Sequence, residues 1–143
     1  MKYAYSLKTE RVKEPDFPYT GKKITCASDI ANFVKYIEKS DIEKFVSIYL
    51  DADNKVIGIH ITAGTINCAF PIAREIFKNA LLFSAAAVIL THNHPSGKVV
   101  PSPEDKKFTS DVSTGGKIMG IKILDHIIIG DSQFFSFSEE GIL

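Results

Sequence analysis

The sequence predicts an α/β fold built in layers, with a central mixed β-sheet. Three observations lead there. Apolar runs with strand character alternate with segments whose apolar residues recur at helical spacing. Clusters of Gly, Pro, Asn, Asp and Ser separate these runs. At 143 residues the chain is long enough for one sizeable core.

Residues 1–27 read as an N-terminal arm and residues 28–143 as the domain. In the arm, Tyr3, Tyr5 and Leu7 alternate with Lys2, Ala4 and Ser6, as in a short strand, before Pro15, Pro18 and Gly21 break the pattern. The plainer reading is an arm that packs on the domain or on a partner chain. Contact with substrate or nucleic acid through its aromatic and basic residues is the alternative. Ser28 is placed to cap a helix over 29–40, in which Ile30, Phe33, Val34 and Ile37 form a buried stripe. Strands over 45–50 and 56–61 flank the turn Asp51-Ala52-Asp53-Asn54 and read as a hairpin. Gly64-Thr65 marks a bend. A second helix over 71–83 turns Ile72, Ile76, Phe77, Ala80 and Leu81 inward and leaves Arg74 and Lys78 solvated. It feeds the run Ala85-Ala86-Ala87-Val88-Ile89-Leu90, a buried strand. A third helix over 103–114 stops at Gly115-Gly116, with Lys106 and Lys107 on its solvated face. Residues 118–121 return toward the sheet. Strands over 123–129 and 133–138 follow, separated by Gly130-Asp131.

Composition narrows the function classes. Seventeen basic and seventeen acidic residues cancel, so a strong electrostatic grip on nucleic acid is not expected and binding should be weak or absent. Cys26 and Cys68 stand alone, without a disulfide framework or a Cys-x-x-Cys. They are expected to be plain buried thiols in a reducing, cytoplasmic setting. The start of the chain lacks the apolar core of a signal peptide, and no run approaches the ~18 apolar residues of a membrane span.

The chemistry gathers at Thr91-His92-Asn93-His94-Pro95-Ser96-Gly97, directly after the buried strand. Side chains at i and i+2 of an extended segment share a face, so His92 and His94 can share one metal ion. Pro95, Ser96 and Gly97 turn the chain, and Ser102-Pro103-Glu104-Asp105 opens the next helix. Asp105 is then placed to return as a third ligand. Two histidines, a carboxylate and a water make a catalytic site with an open position. A plainer account stands beside this one. Ser102 and Asp105 also form a capping box with Pro at the first helical position. That explains both residues without catalysis, although it leaves the paired histidines unexplained.

His-x-His-Pro, then seven residues from His94 to Ser102, then Ser-x-x-Asp, resembles the JAMM motif of JAB/MPN metallohydrolases. The longer string His-Asn-His-Pro-Ser-Gly-x-x-x-Pro-Ser-x-x-Asp is similar to the RadC branch. So are Gly64-Thr65-Ile66, Arg74-Glu75 and Leu124-Asp125-His126-Ile127. The resemblance runs from about Ser28 to Leu143. Two features depart from the pattern: nothing matches the helix-hairpin-helix part of longer RadC proteins, and Ala73 stands where the family has Pro before Arg-Glu.

The resemblance implies a JAB/MPN fold, a mixed β-sheet flanked by helices, akin to the cytidine deaminase arrangement but without its Pro-Cys-x-x-Cys. It implies Zn2+ held by His92, His94 and Asp105, and Glu43 as the base that takes a proton from the activated water. It also implies Ser102 as a donor to the tetrahedral oxyanion. The reaction class would be hydrolysis of a peptide, isopeptide or related amide bond in a peptide or protein substrate. Glu38 and Glu75 are weaker alternatives for the base. Asp125 and His126 read either as support behind the ligands or as a hydrogen-bonded pair in the core. His60, with no ligand-spaced partner, reads as structural. A DNA-repair-associated factor and a catalytically silent scaffold remain alternative functions, and a homo-oligomer stays open.

Overall fold

The structure is a computed structural model, and it describes residues 4, 21–63, 71 and 73–143. Its elements, in chain order, are α1 (Ala27–Phe33), β1 (Lys44–Leu50), β2 (Val56–Ala63), α2 (Ala73–Leu82), β3 (Ala87–Asn93), α3 (Pro103–Met119), β4 (Lys122–Gly130) and β5 (Gln133–Ser136). The five strands form one mixed sheet in the order β2-β1-β3-β4-β5. β3 and β4 run parallel and the other pairs antiparallel. The expected layered α/β fold is therefore present.

Strand alternation divides the core in two. Val46, Ile48, Leu50, Ala87 and Ile89 face α1 and its Ile30 and Phe33. Phe45, Tyr49, Val88 and Leu90 face α2 and α3, where Ile76, Phe77, Ala80 and Val112 meet them. β1 and β3 are covered on both faces, which is why they read as continuous apolar runs rather than alternating ones.

Several expected boundaries shift for identifiable reasons. α1 starts one residue before Ser28, at an N-cap, Cys26, that makes no side-chain capping bond. Asp29 serves this end instead, accepting from the Thr25 amide at 2.9 Å and the Thr25 hydroxyl at 2.6 Å. The helix does not continue to residue 40. It tightens into a 3₁₀ turn at Lys35–Ile37, and Val34 and Ile37, three apart, both become fully buried. Cys26, at the N-terminal end of α1, is exposed, contrary to the buried thiol expected. Leu81 is likewise exposed rather than inward. α3 passes through Gly115 and Gly116 and ends only at Gly120, whose φ of 70° makes it the left-handed cap. Residues 118 and 119 are therefore helical rather than part of a return to the sheet. The short strand expected at Tyr3, Tyr5 and Leu7, the bend at Gly64-Thr65, and Cys68 and Ile72 lie outside the described residues.

One irregularity positions the site. Val88 pairs with Ile123 but Ile89 pairs with Asp125, so Leu124 is an extra residue in β4. Such a bulge reverses which side chains reach each face. Ile123 faces α2 and α3, whereas Ile127 and Ile129, of the same parity, face α1. His126 thereby joins the face that carries His92.

Candidate metal centre

β3 delivers His92 at its C-terminal end, fully buried and stacked against Phe45 at a centroid distance of 5.8 Å. One residue past the strand, the His94 amide still bonds to the Ile129 carbonyl at 2.9 Å, so the backbone stays extended and the two rings share a face. The chain then turns, with the Gly97 amide on the His94 carbonyl and Gly97 at φ 80°. α3 begins at Ser102 with a full capping box: the Asp105 amide donates to Ser102 Oγ at 3.0 Å, and the Ser102 amide to Asp105 Oδ2 at 2.8 Å.

This brings Asp105 back to the histidines. Its Oδ1 lies 3.2 Å from His92 Nε2 and its Oδ2 lies 3.3 Å from His94 Nε2. The two Nε2 atoms are 3.0 Å apart. Glu43, just before β1, places Oε1 3.7 Å from His92 Nε2. Ligand atoms from all four residues lie within 4.8 Å of one another.

The donor set fits a metal ion. Donors bound at 2.0–2.1 Å to one tetrahedral ion stand about 3.3 Å apart. The three separations among His92, His94 and Asp105 are 3.0 to 3.3 Å. His94 Nδ1 meets the Lys98 carbonyl at 2.9 Å, and a carbonyl only accepts. That nitrogen therefore carries the hydrogen, and Nε2 is the atom that could ligate a metal.

The charges are coupled. Burial alone would raise the Asp105 carboxyl, but hydrogen bonds from His92 and His94, the His92 charge and the Ser102 amide outweigh it and hold the group far below the ordinary range. His94 is raised, first by its bond to Asp105 and then, against burial, by the Lys98 carbonyl and the charges of Asp105 and Glu43. Glu43 is raised because burial outweighs the attraction of His92 and His94. A carboxylate raised toward neutrality is suited to taking and returning a proton.

Residues 24–142 match the protein family described as RadC-like JAB domain. The chain belongs to that family. A UPF0758 protein of Methanococcoides burtonii is 43% identical over 125 residues, covering 85% of this chain and 54% of the relative. UPF0758 proteins of Desulforudis audaxviator and Latilactobacillus sakei are 48% and 47% identical over 103 and 102 residues. The chain spans about half the length of these curated relatives.

Within this RadC-like domain the structure brings together Glu43, His92, His94 and Asp105, with Ser102 joined to Asp105 through the capping box. The other candidates have different occupations. Glu38 accepts from the Ser132 amide at 2.9 Å, and Glu75 pairs with Lys78 at 2.7 Å on the surface. His60 is exposed on β2, opposite Ser47. The pair Asp125-His126 splits. Asp125 is a structural clasp that accepts from the His126 and Ser138 amides and the Ser136 hydroxyl. His126 instead stands behind the candidate ligand His92, its Nε2 2.7 Å from His92 Nδ1. Burial, followed by the charge of His92, pushes the His126 ring well below the usual histidine range.

Two residues that sequence reasoning missed complete the surroundings. Asn93, fully buried between the two histidines, accepts from the Lys44 amide at 2.7 Å and donates to the Ile42 carbonyl at 3.1 Å. It thus pins both neighbours of Glu43. Thr109, one turn after Asp105, bonds to the Asp105 carbonyl and to His126. An amide at the end of a strand, where Asn is disfavoured, was the available signal for Asn93. Thr109 offered none.

Proposed function

We propose that this domain is a zinc-dependent hydrolase of a peptide, isopeptide or related amide bond. The observation that carries the reading is the convergence of His92, His94 and Asp105 at metal-ligand spacing with Glu43 beside them. Zn2+ in this set would acidify a water molecule and polarise the substrate carbonyl. Glu43 takes the proton as the water oxygen attacks the carbonyl carbon. It then returns that proton to the amide nitrogen as the C–N bond breaks, giving a carboxylic acid and an amine. The Ser102 hydroxyl is suited to hydrogen-bonding the developing oxyanion. Its oxygen already accepts from the Asp105 amide. A hydroxyl accepts and donates at once, so capping leaves its proton available to the reaction. Loss of one oxyanion donor typically costs about a hundred- to a thousandfold in rate.

A catalytically silent scaffold has no use for a raised, half-buried glutamate beside three ligands, and this favours the enzyme. The test has two parts. Protein purified without chelator or affinity nickel should contain zinc, one per chain, by elemental analysis. A panel of peptide and isopeptide reporters should yield one that is hydrolysed by the parent. Glu43→Gln should then keep the zinc and lose hydrolysis by about a hundred- to ten-thousandfold. Zinc stoichiometry near zero after reconstitution, or an unimpaired Glu43→Gln, overturns the assignment.

A further inference from the structure

The hydrogen bonds behind His92 form a chain in which each proton has one allowed place. The Thr109 hydroxyl donates to the Asp105 carbonyl at 2.7 Å. A hydroxyl has a single proton, so its oxygen meets His126 Nδ1, 2.5 Å away, as an acceptor, and Nδ1 carries the hydrogen. His126 is fully buried between the rings of Phe45 and Phe137, where a second proton on its ring is costly. Its Nε2 is then an acceptor, and the hydrogen in the 2.7 Å contact belongs to His92 Nδ1. In the neutral ring of His92 the lone pair then falls on Nε2, the atom that faces Asp105, His94 and Glu43.

We propose that Thr109 and His126 are positioning residues for the metal centre: the hydroxyl orients the His126 ring, and His126 holds His92 in the one tautomer that presents Nε2 to a divalent cation. The β4 bulge at Leu124 is what turns His126 to this face. The inference rests on the zinc reading above, but it makes a statement about the metal-free protein as well.

Two readouts test it. The first is zinc affinity by competition with a chromophoric chelator, for the parent, Thr109→Val, Thr109→Ser and His126→Phe. Thr109→Val keeps the shape and removes the hydroxyl, and it should weaken zinc about ten- to a hundredfold, the usual range for a partner behind a ligand. Thr109→Ser should restore parent affinity, which a loss of packing alone does not predict. His126→Phe should weaken zinc at least as much as Thr109→Val; if it does not fold, the Thr109 pair decides. The second readout is the ring-nitrogen 15N spectrum of the chelator-treated parent, which should show His92 protonated on Nδ1. Parent-like zinc affinity in a folded Thr109→Val overturns the proposal. So does a Thr109→Ser that fails to rescue, or a His92 hydrogen found on Nε2 and not on Nδ1. A parent that takes up no zinc defeats the zinc reading, while the nitrogen spectrum still decides the tautomer.

Discussion

Asn93 shows how much one amide contributes at the residue scale. Its side chain reaches across 49 to 53 residues of sequence to the Lys44 amide and to the Ile42 and Ser40 carbonyls. Those bonds hold the segment on which Glu43 rides. Asn93→Ala leaves a part-buried amide without its acceptor, which typically costs about 1–3 kcal/mol. Its outcome should differ from a ligand's: zinc content stays near the parent's because His92, His94 and Asp105 are untouched, while hydrolysis of the best reporter falls. Urea melts, elemental analysis and reporter kinetics on the same preparation check all three, and a variant that loses zinc would refute the separation. His92 and His94 were legible in the sequence because same-face placement is a local property of two alternate positions. Asn93, between them, was not, because its partners are brought to it by the pairing of β1 with β3.

At the scale of elements, the paired glycines of α3 invert the usual rule. Gly115-Gly116 reads as a helix stop, and Gly→Ala inside a helix ordinarily stabilises by about 0.5–1 kcal/mol. Here both lie within the helix for packing. A Cβ on Gly116 would overlap the Ile121 backbone carbonyl, which cannot rotate away. A Cβ on Gly115 would come within 2.9 Å of the Phe77 ring edge, which can shift. Gly116→Ala should therefore destabilise, by the ~1–3 kcal/mol typical of overpacking, and by more than Gly115→Ala. Denaturation midpoints of the two variants decide, and a Gly116→Ala as stable as the parent contradicts the packing. The bulge in β4 was hidden for a related reason. In Ile123-Leu124-Asp125-His126-Ile127-Ile128-Ile129 apolar residues nearly fill the run, so no alternation shows where the parity changes. Only the register against β3 reveals that His126, not Asp125, faces His92.

For the whole molecule, the metal centre joins three elements that pack on one face of the sheet or lead into it: the segment before β1, the end of β3 and the start of α3. A metal bound there would therefore act on the stability of the fold, with a sign set by the protonation of the centre. Consider the metal-free protein first. Asp105 is depressed below its ordinary 3.8, so its contribution is present above that value and lost on acidification. His94 is raised above 6.5, so its contribution is complete below 6.5 and lost as pH rises through the raised value. Glu43 is raised above 4.5, and its ionisation in a half-buried place weakens the fold further with rising pH. Metal-free protein should thus lose stability as pH rises from about 6.5 through the raised His94 value. Metal binding runs the other way, because His94 must release its Nε2 proton before that atom can ligate. The difference in melting temperature between zinc-loaded and chelator-treated protein should therefore widen from pH 6 to pH 8. Differential scanning calorimetry at fixed ionic strength measures it. A difference that stays constant or narrows over this range would mean that His94 is not a ligand.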